Sequence, residues 1–231
     1  MKVIKQDKTL SVYIFDSDKE QSSKHHFKHS QLLPNSIRCI IAGPSNCGKT
    51  NLLINLLLQP NGLKYENIYI YSRSLFQPKY VFLENVLLQV PAIKYFKYTS
   101  NEHIIKPEDA KQNSIFIFDD IMCDRQDVMK SFFSMGRHKL LDVFYLAQTY
   151  ARIPKHLIRD NCNLIVLFEQ DAMNLKHVYD DYVNCDMTFC KFQEMCNMCW
   201  NKNKYGFIVI NRECDVHSGR YRLGFDSYIY I

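Results

Sequence analysis

Residues 43–50 read Gly43-Pro44-Ser45-Asn46-Cys47-Gly48-Lys49-Thr50, and this stretch decides the fold. It fits G-x-x-x-x-G-K-[ST], a loop that holds phosphate between a strand and a helix. The flanks suit it. Residues 37–42 (I-R-C-I-I-A) form a short apolar run, as a buried strand does, and 51–58 (N-L-L-I-N-L-L-L) read as an apolar-rich helix. In that setting successive backbone N–H groups of 43–50 point at a nucleotide's phosphates. Gly43 and Gly48 permit torsions and close approaches that a Cβ would obstruct. Lys49 reaches the β- and γ-phosphates, and Thr50 places its hydroxyl on Mg²⁺. The expected ligands are therefore ATP on Gly43, Pro44, Ser45, Asn46, Cys47, Gly48, Lys49 and Thr50, with Mg²⁺ beside it.

Outward from the loop, apolar runs recur at 67–71, 115–118, 142–147 and 163–168. Each is short and rich in Ile, Val, Phe or Tyr, the signature of strands buried on both faces. Longer amphipathic segments at 49–59, 78–90, 124–138 and 171–183 separate them, with Asp124 and Asp171 as N-caps of the last two. This alternation predicts an α/β fold: a mainly parallel central sheet covered by helices on both faces. Extra C-terminal strands are expected at 205–210 and 221–231, with Ser218-Gly219 turning between them. Residues 1–36 read as an N-terminal arm, with a short strand at 12–15 and a polar tract containing K-H-H-F-K-H at 24–29, whose histidines fit a solvated arm better than a metal site. The ATPase domain spans 37–231, with a C-terminal extension from about 185.

The strand 115–118 ends in Asp119-Asp120. A strand-end carboxylate holds Mg²⁺, the role of Asp119, and the next, Asp120, polarises the attacking water. The strand 142–147 ends in Gln148-Thr149, and Gln148 can orient water without titrating. Arg137, Arg152 and Arg159 are candidates for an arginine supplied to a neighbouring active site, Arg137 first because it precedes the Gln148 strand.

The chain has 231 residues, 47% of them hydrophobic, enough for a full core, and a formal net charge of +5. That mild basicity is compatible with a nucleic-acid partner without requiring one. Nine cysteines, one of them inside the phosphate loop, argue for free thiols in a reducing compartment. No apolar stretch approaches the roughly 20 residues that span a bilayer, and no signal-peptide core precedes the domain. An intracellular chain is expected. Cys185, Cys190, Cys196, Cys199 and Cys214 cluster, but the single C-x-x-C and irregular spacing favour packing over zinc.

The motifs G-P-S-N-C-G-K-T-N-L-L, I-F-I-F-D-D and G-R-H-K followed by L-A-Q-T-Y and I-P-x-x-I-R-x-N resemble the viral genome-packaging ATPases of the FtsK–HerA superfamily. The likeness is to those of poxvirus-like viruses, Maverick/Polinton elements and adintoviruses, and covers about 37–169. It implies a RecA-like P-loop NTPase core of the ASCE type, with the P-loop strand beside the Gln148 strand. It further implies a homo-oligomeric ring around double-stranded DNA, capsid vertex partners and ATP-driven DNA translocation at a viral assembly site. Asp120 departs from the Glu of bacterial FtsK translocases and agrees with the viral branch. Two other readings stand beside it. A nucleotide kinase would need an arginine-rich lid, and Asp119-Asp120 followed by Q-T-Y argues against it. A nucleotide-dependent DNA-binding or assembly factor would bind ATP with little turnover.

Overall fold

A computed structural model describes residues 28–99, 104–119, 121, 127–136 and 141–231, with the backbone alone at 127 and 128. In chain order the strands are β1 (Arg38–Ala42), β2 (Asn67–Ser72), β3 (Lys94–Tyr98), β4 (Ser114–Asp119), β5 (Asp142–Ala147), β6 (Leu164–Phe168), β7 (Phe207–Asn211), β8 (Tyr221–Leu223) and β9 (Ser227–Tyr228). The helices are α1 (Lys49–Leu58), α2 (Pro78–Leu88), α3 (Asp127–Met135), α4 (Ala172–Tyr182) and α5 (Phe189–Trp200). They build one sheet in the order β3-β2-β4-β5-β1-β6-β7-β8-β9. The six strands from β3 to β6 are parallel, and β7, β8 and β9 follow antiparallel.

Side chains alternate across each strand, so one run feeds two cores. Ile40, Tyr69, Phe116 and Tyr145 face one way and pack with Phe132, Leu175 and Phe192 of α3, α4 and α5. Ile41, Ile70, Ile117 and Phe144 face the other way and pack with Leu53 and Leu83 of α1 and α2. Helices thus cover both faces, which is why the central strands read as continuous apolar runs. The extra C-terminal strands are also as expected, and they run antiparallel, except that 221–231 does not form one strand. It breaks after Leu223, where Gly224 takes φ 62° and lets the chain turn back.

Two elements escaped the sequence reading. β3 (K-Y-F-K-Y) is an edge strand with exposed lysines. Its aromatics are held by the neighbouring strand: Tyr69 stacks on Phe96 at 4.6 Å and on Phe116 at 4.5 Å, and Tyr71 on Tyr98 at 4.7 Å. α5 occupies the cysteine-rich stretch, capped by Thr188 and with Cys196 and Cys199 buried in the core. Among the described residues no three metal-ligating side chains come together. Asp171 caps α4 as expected, accepting from Asn174 N at 2.8 Å. Asp124 and the expected strand at 12–15 lie outside the described residues.

Residues 28–36, expected in a solvated arm, pack onto the domain. His29 is buried, and its Nε2 lies 3.0 Å from Asp142 Oδ2. Lys64 N donates to its Nδ1 at 3.0 Å, which leaves Nε2 to donate to Asp142. Lys28 Nζ, at 2.5 Å, and Ile37 N, at 2.8 Å, also bond the buried Asp142 carboxylate. One carboxylate at the start of β5 thus clasps the segment leading into β1. Among the described residues no helix is long and apolar enough to cross a membrane.

Candidate active site

The phosphate loop springs from the end of β1 and turns into α1. Gly43 N donates to Ala147 O at 3.1 Å, which ties the loop to the end of β5. Asn46 takes φ 62° and Gly48 φ 115°, both left-handed. Such torsions curl backbone N–H groups around a concave anion site, and only Gly takes the second without strain. Gly43 is required for another reason: a Cβ there would lie 2.6 Å from both Cys47 Sγ and Phe168 Cβ. The loop is thereby wedged against the end of β6. Lys49 Nζ donates to Gly43 O at 2.6 Å and Pro44 O at 2.9 Å.

A cavity of about 890 Å³ opens over this loop at the C-terminal ends of the parallel strands, where open α/β sheets bind ligands. Ser45, Asn46, Gly48, Lys49, Thr50, Asp119 and Gln148 all line it. The sheet order explains the gathering. β5 sits between β1 and β4, so Gln148 at its end lies between the loop and the carboxylate of Asp119. Asp119 is 9% exposed and accepts from the Tyr80 hydroxyl. Thr50 and Asp119 both line the cavity, a pair of hard oxygen groups that fits a small divalent cation retaining several waters.

Three groups here had no sequence signal. Tyr80 and Lys79 belong to the first turn of α2, and Gln77 precedes it; the stretch reads only as a loop entering a helix after Pro78. Burial, and then the negative charge of Asp119, push the Tyr80 phenol well above its ordinary value, so it acts as a donor. Burial also raises the Cys47 thiol, against the opposing pull of the Lys49 charge.

Asp120 and Arg137, expected to activate water and to act in a neighbouring site, lie outside the described residues. The other arginines separate. Arg152 is exposed and lines the chain's own cavity. Arg159 is 8% exposed and bonds Asp181 Oδ2 at 2.7 Å, with its guanidinium 5.2 Å from the Tyr150 ring centroid. Tyr150 Oη donates to the same Asp181 oxygen at 2.8 Å, and Lys155 Nζ lies 3.5 Å from the other. Arg159 is thus a core ion pair and is removed from the candidates for a neighbouring site.

The family described as Poxvirus A32 protein matches residues 24–220, most of the chain and all of this site. The chain belongs to that family. The resemblance to viral packaging ATPases seen in the motifs is thereby borne out. None of the curated proteins compared with the chain matches it. Among solved structures, the genome packaging NTPase B204 from Sulfolobus turreted icosahedral virus 2, in complex with AMP, aligns with a TM-score of 0.52 at 12% identity over 77% of this chain and 94% of its own. Its complex with AMPPCP gives 0.52 at 12% identity, over 77% and 93%. B204 from Sulfolobus turreted icosahedral virus, described as a DNA-packaging ATPase, gives 0.52 at 15% identity, over 76% and 92%. At these identities the likeness shows the shared fold, that of a P-loop NTPase. The poxvirus A32 family thus includes a chain whose phosphate loop, strand-end carboxylate and strand-end glutamine converge on one cavity.

Proposed function

We propose that this chain is an ATP-hydrolysing motor that drives double-stranded DNA into a viral capsid. The observation that carries the reading is the convergence of Lys49, Thr50, Asp119 and Gln148 on one cavity, with β5 inserted between β1 and β4. Membership of the poxvirus A32 family and the fold shared with packaging NTPases support it.

The triphosphate would lie on the N–H groups of 43–50. Lys49 would leave the Gly43 and Pro44 carbonyls for phosphate oxygens, because a charge-assisted bond is the stronger one. Thr50 and Asp119 would hold Mg²⁺, which when bound neutralises charge on the β- and γ-phosphates. Gln148 would orient a water in line with the γ-phosphorus. As the new P–O bond forms, the bond to the ADP oxygen breaks, and Asp120 would take the water's proton. Arg152 would stabilise charge on the transferring group from within the chain, and Arg137 from a neighbouring subunit of a ring. Capsid vertex proteins would receive that ring at an assembly site inside the host cell. DNA would be held through its phosphates, so affinity would fall steeply with salt. ATP turnover measured with duplexes of increasing length tests the reading. A motor is stimulated more by longer DNA; binding without stimulation would instead describe a nucleotide-dependent assembly factor.

A further inference from the structure

A second cavity, of about 460 Å³, adjoins the first and shares Asn46, Gly48 and Lys79 with it. Its other wall includes three aromatic rings, Phe168, Phe207 and Tyr205. Phe168 and Phe207 are 5.3 Å apart between centroids and tilted by 47°, a fixed apolar back. Tyr205 stands against the phosphate loop: a Cβ on Gly48 would lie 3.7 Å from its Cδ1. Yet Tyr205 is 52% exposed, an open ring beside a loop that holds phosphate.

The ring is held in place. Tyr205 N and Gly206 N donate to Asn203 Oδ1 and Asn203 O, each at 3.0 Å. The turn is seated on the end of α5, where a Cβ on Gly206 would come within 2.3 Å of Cys199 O and 2.6 Å of Trp200 O. Only glycine fits, so Tyr205 is aimed by the backbone. Lys204 Nζ lies 5.4 Å from its ring centroid, an exposed contact weak enough to exchange for a flat ligand.

A cavity that opens onto a triphosphate loop and is walled by aromatic rings has the shape and polarity of a nucleobase site. We propose that it receives the base of the nucleotide whose phosphates the loop holds, with Tyr205 as the stacking residue. The C-terminal extension then completes the nucleotide site. This rests on the reading of 43–50 as a phosphate site, and the test separates the two.

Calorimetric titrations of the full chain with ATP and with inorganic tripolyphosphate, which has no base, provide that test. Tyr205→Ala should weaken ATP binding roughly 5- to 100-fold, the range for losing one base–aromatic stack. It should leave tripolyphosphate binding unchanged, and Tyr205→Phe should bind ATP as the wild type does. Unchanged ATP affinity in Tyr205→Ala would overturn the base site while leaving the phosphate site standing. Equal loss for both ligands would also overturn it, assigning Tyr205 to support of the loop. A wild-type chain that binds neither ligand would overturn the phosphate reading itself.

Discussion

The phenol of Tyr80 donates to the carboxylate of Asp119, and both groups are buried where the sheet meets the nucleotide cavity. A bond to a charged acceptor contributes about 1.5–3 kcal/mol. Tyr80→Phe should therefore lower the melting temperature by roughly 3–12 °C in a chain of this size. It should also raise the Mg²⁺ concentration needed for half-maximal ATP turnover, because Asp119 loses the group that orients it. Scanning fluorimetry and an Mg²⁺ titration check both. An unchanged Mg²⁺ requirement would reduce the bond to a purely structural role.

Arg152 and Arg159 should separate under alanine substitution. Arg152 is exposed in the cavity, so Arg152→Ala should lower kcat by about 10²–10³-fold, the loss typical of one transition-state donor, with an unchanged melting temperature. Arg159 is paired with Asp181 in the core, so Arg159→Ala should cost about 3–5 kcal/mol of stability. Parallel melting and turnover measurements of the two variants decide it.

Cys47 should be a slow thiol for its position. Burial raises it and the Lys49 charge only partly offsets this, so less thiolate is present at a given pH than in an ordinary cysteine. At about pH 7.5 iodoacetamide should label the exposed Cys185 and Cys190 before Cys47. Labelling of Cys47 should climb as pH rises above that range, and ATP should suppress it. Mass spectrometry of timed digests reads all three sites, and early labelling of Cys47 would contradict this picture.

Asp142→Ala should destabilise without touching the nucleotide site. It strips the shared acceptor from Ile37 N, Lys28 and the buried His29. Discounting for the partial exposure of Lys28, the cost is about 2–4 kcal/mol, readable in urea denaturation. The segment 28–36 should also become more open to proteolysis.

The phosphate loop, the strand ending at Asp119 and the strand ending before Gln148 were legible because each combines a buried apolar run with a polar group at a fixed end. The pairing of the P-loop strand with the Gln148 strand followed from the resemblance those strands carry. β3 was hidden because an edge strand needs only one covered face, and its lysines break the apolar pattern. α5 was hidden because its buried cysteines draw attention as ligands rather than as small core residues. His29 looked solvated because its partner, Asp142, is 113 residues away. Tyr80, Arg152 and Tyr205 owe their roles to placement alone. No local pattern distinguishes a tyrosine beside a phosphate loop from one in any helix or turn.

The most direct measurement is steady-state ATP hydrolysis by the wild type and by Lys49→Ala, each with and without saturating duplex DNA. Among the described residues, Lys49 Nζ bonds the Gly43 and Pro44 carbonyls of its own loop, so its loss should leave the melting temperature nearly unchanged. The account predicts turnover by the wild type that rises with DNA, and a Lys49→Ala rate indistinguishable from background in both conditions. Hydrolysis by Lys49→Ala near the wild-type rate would contradict it.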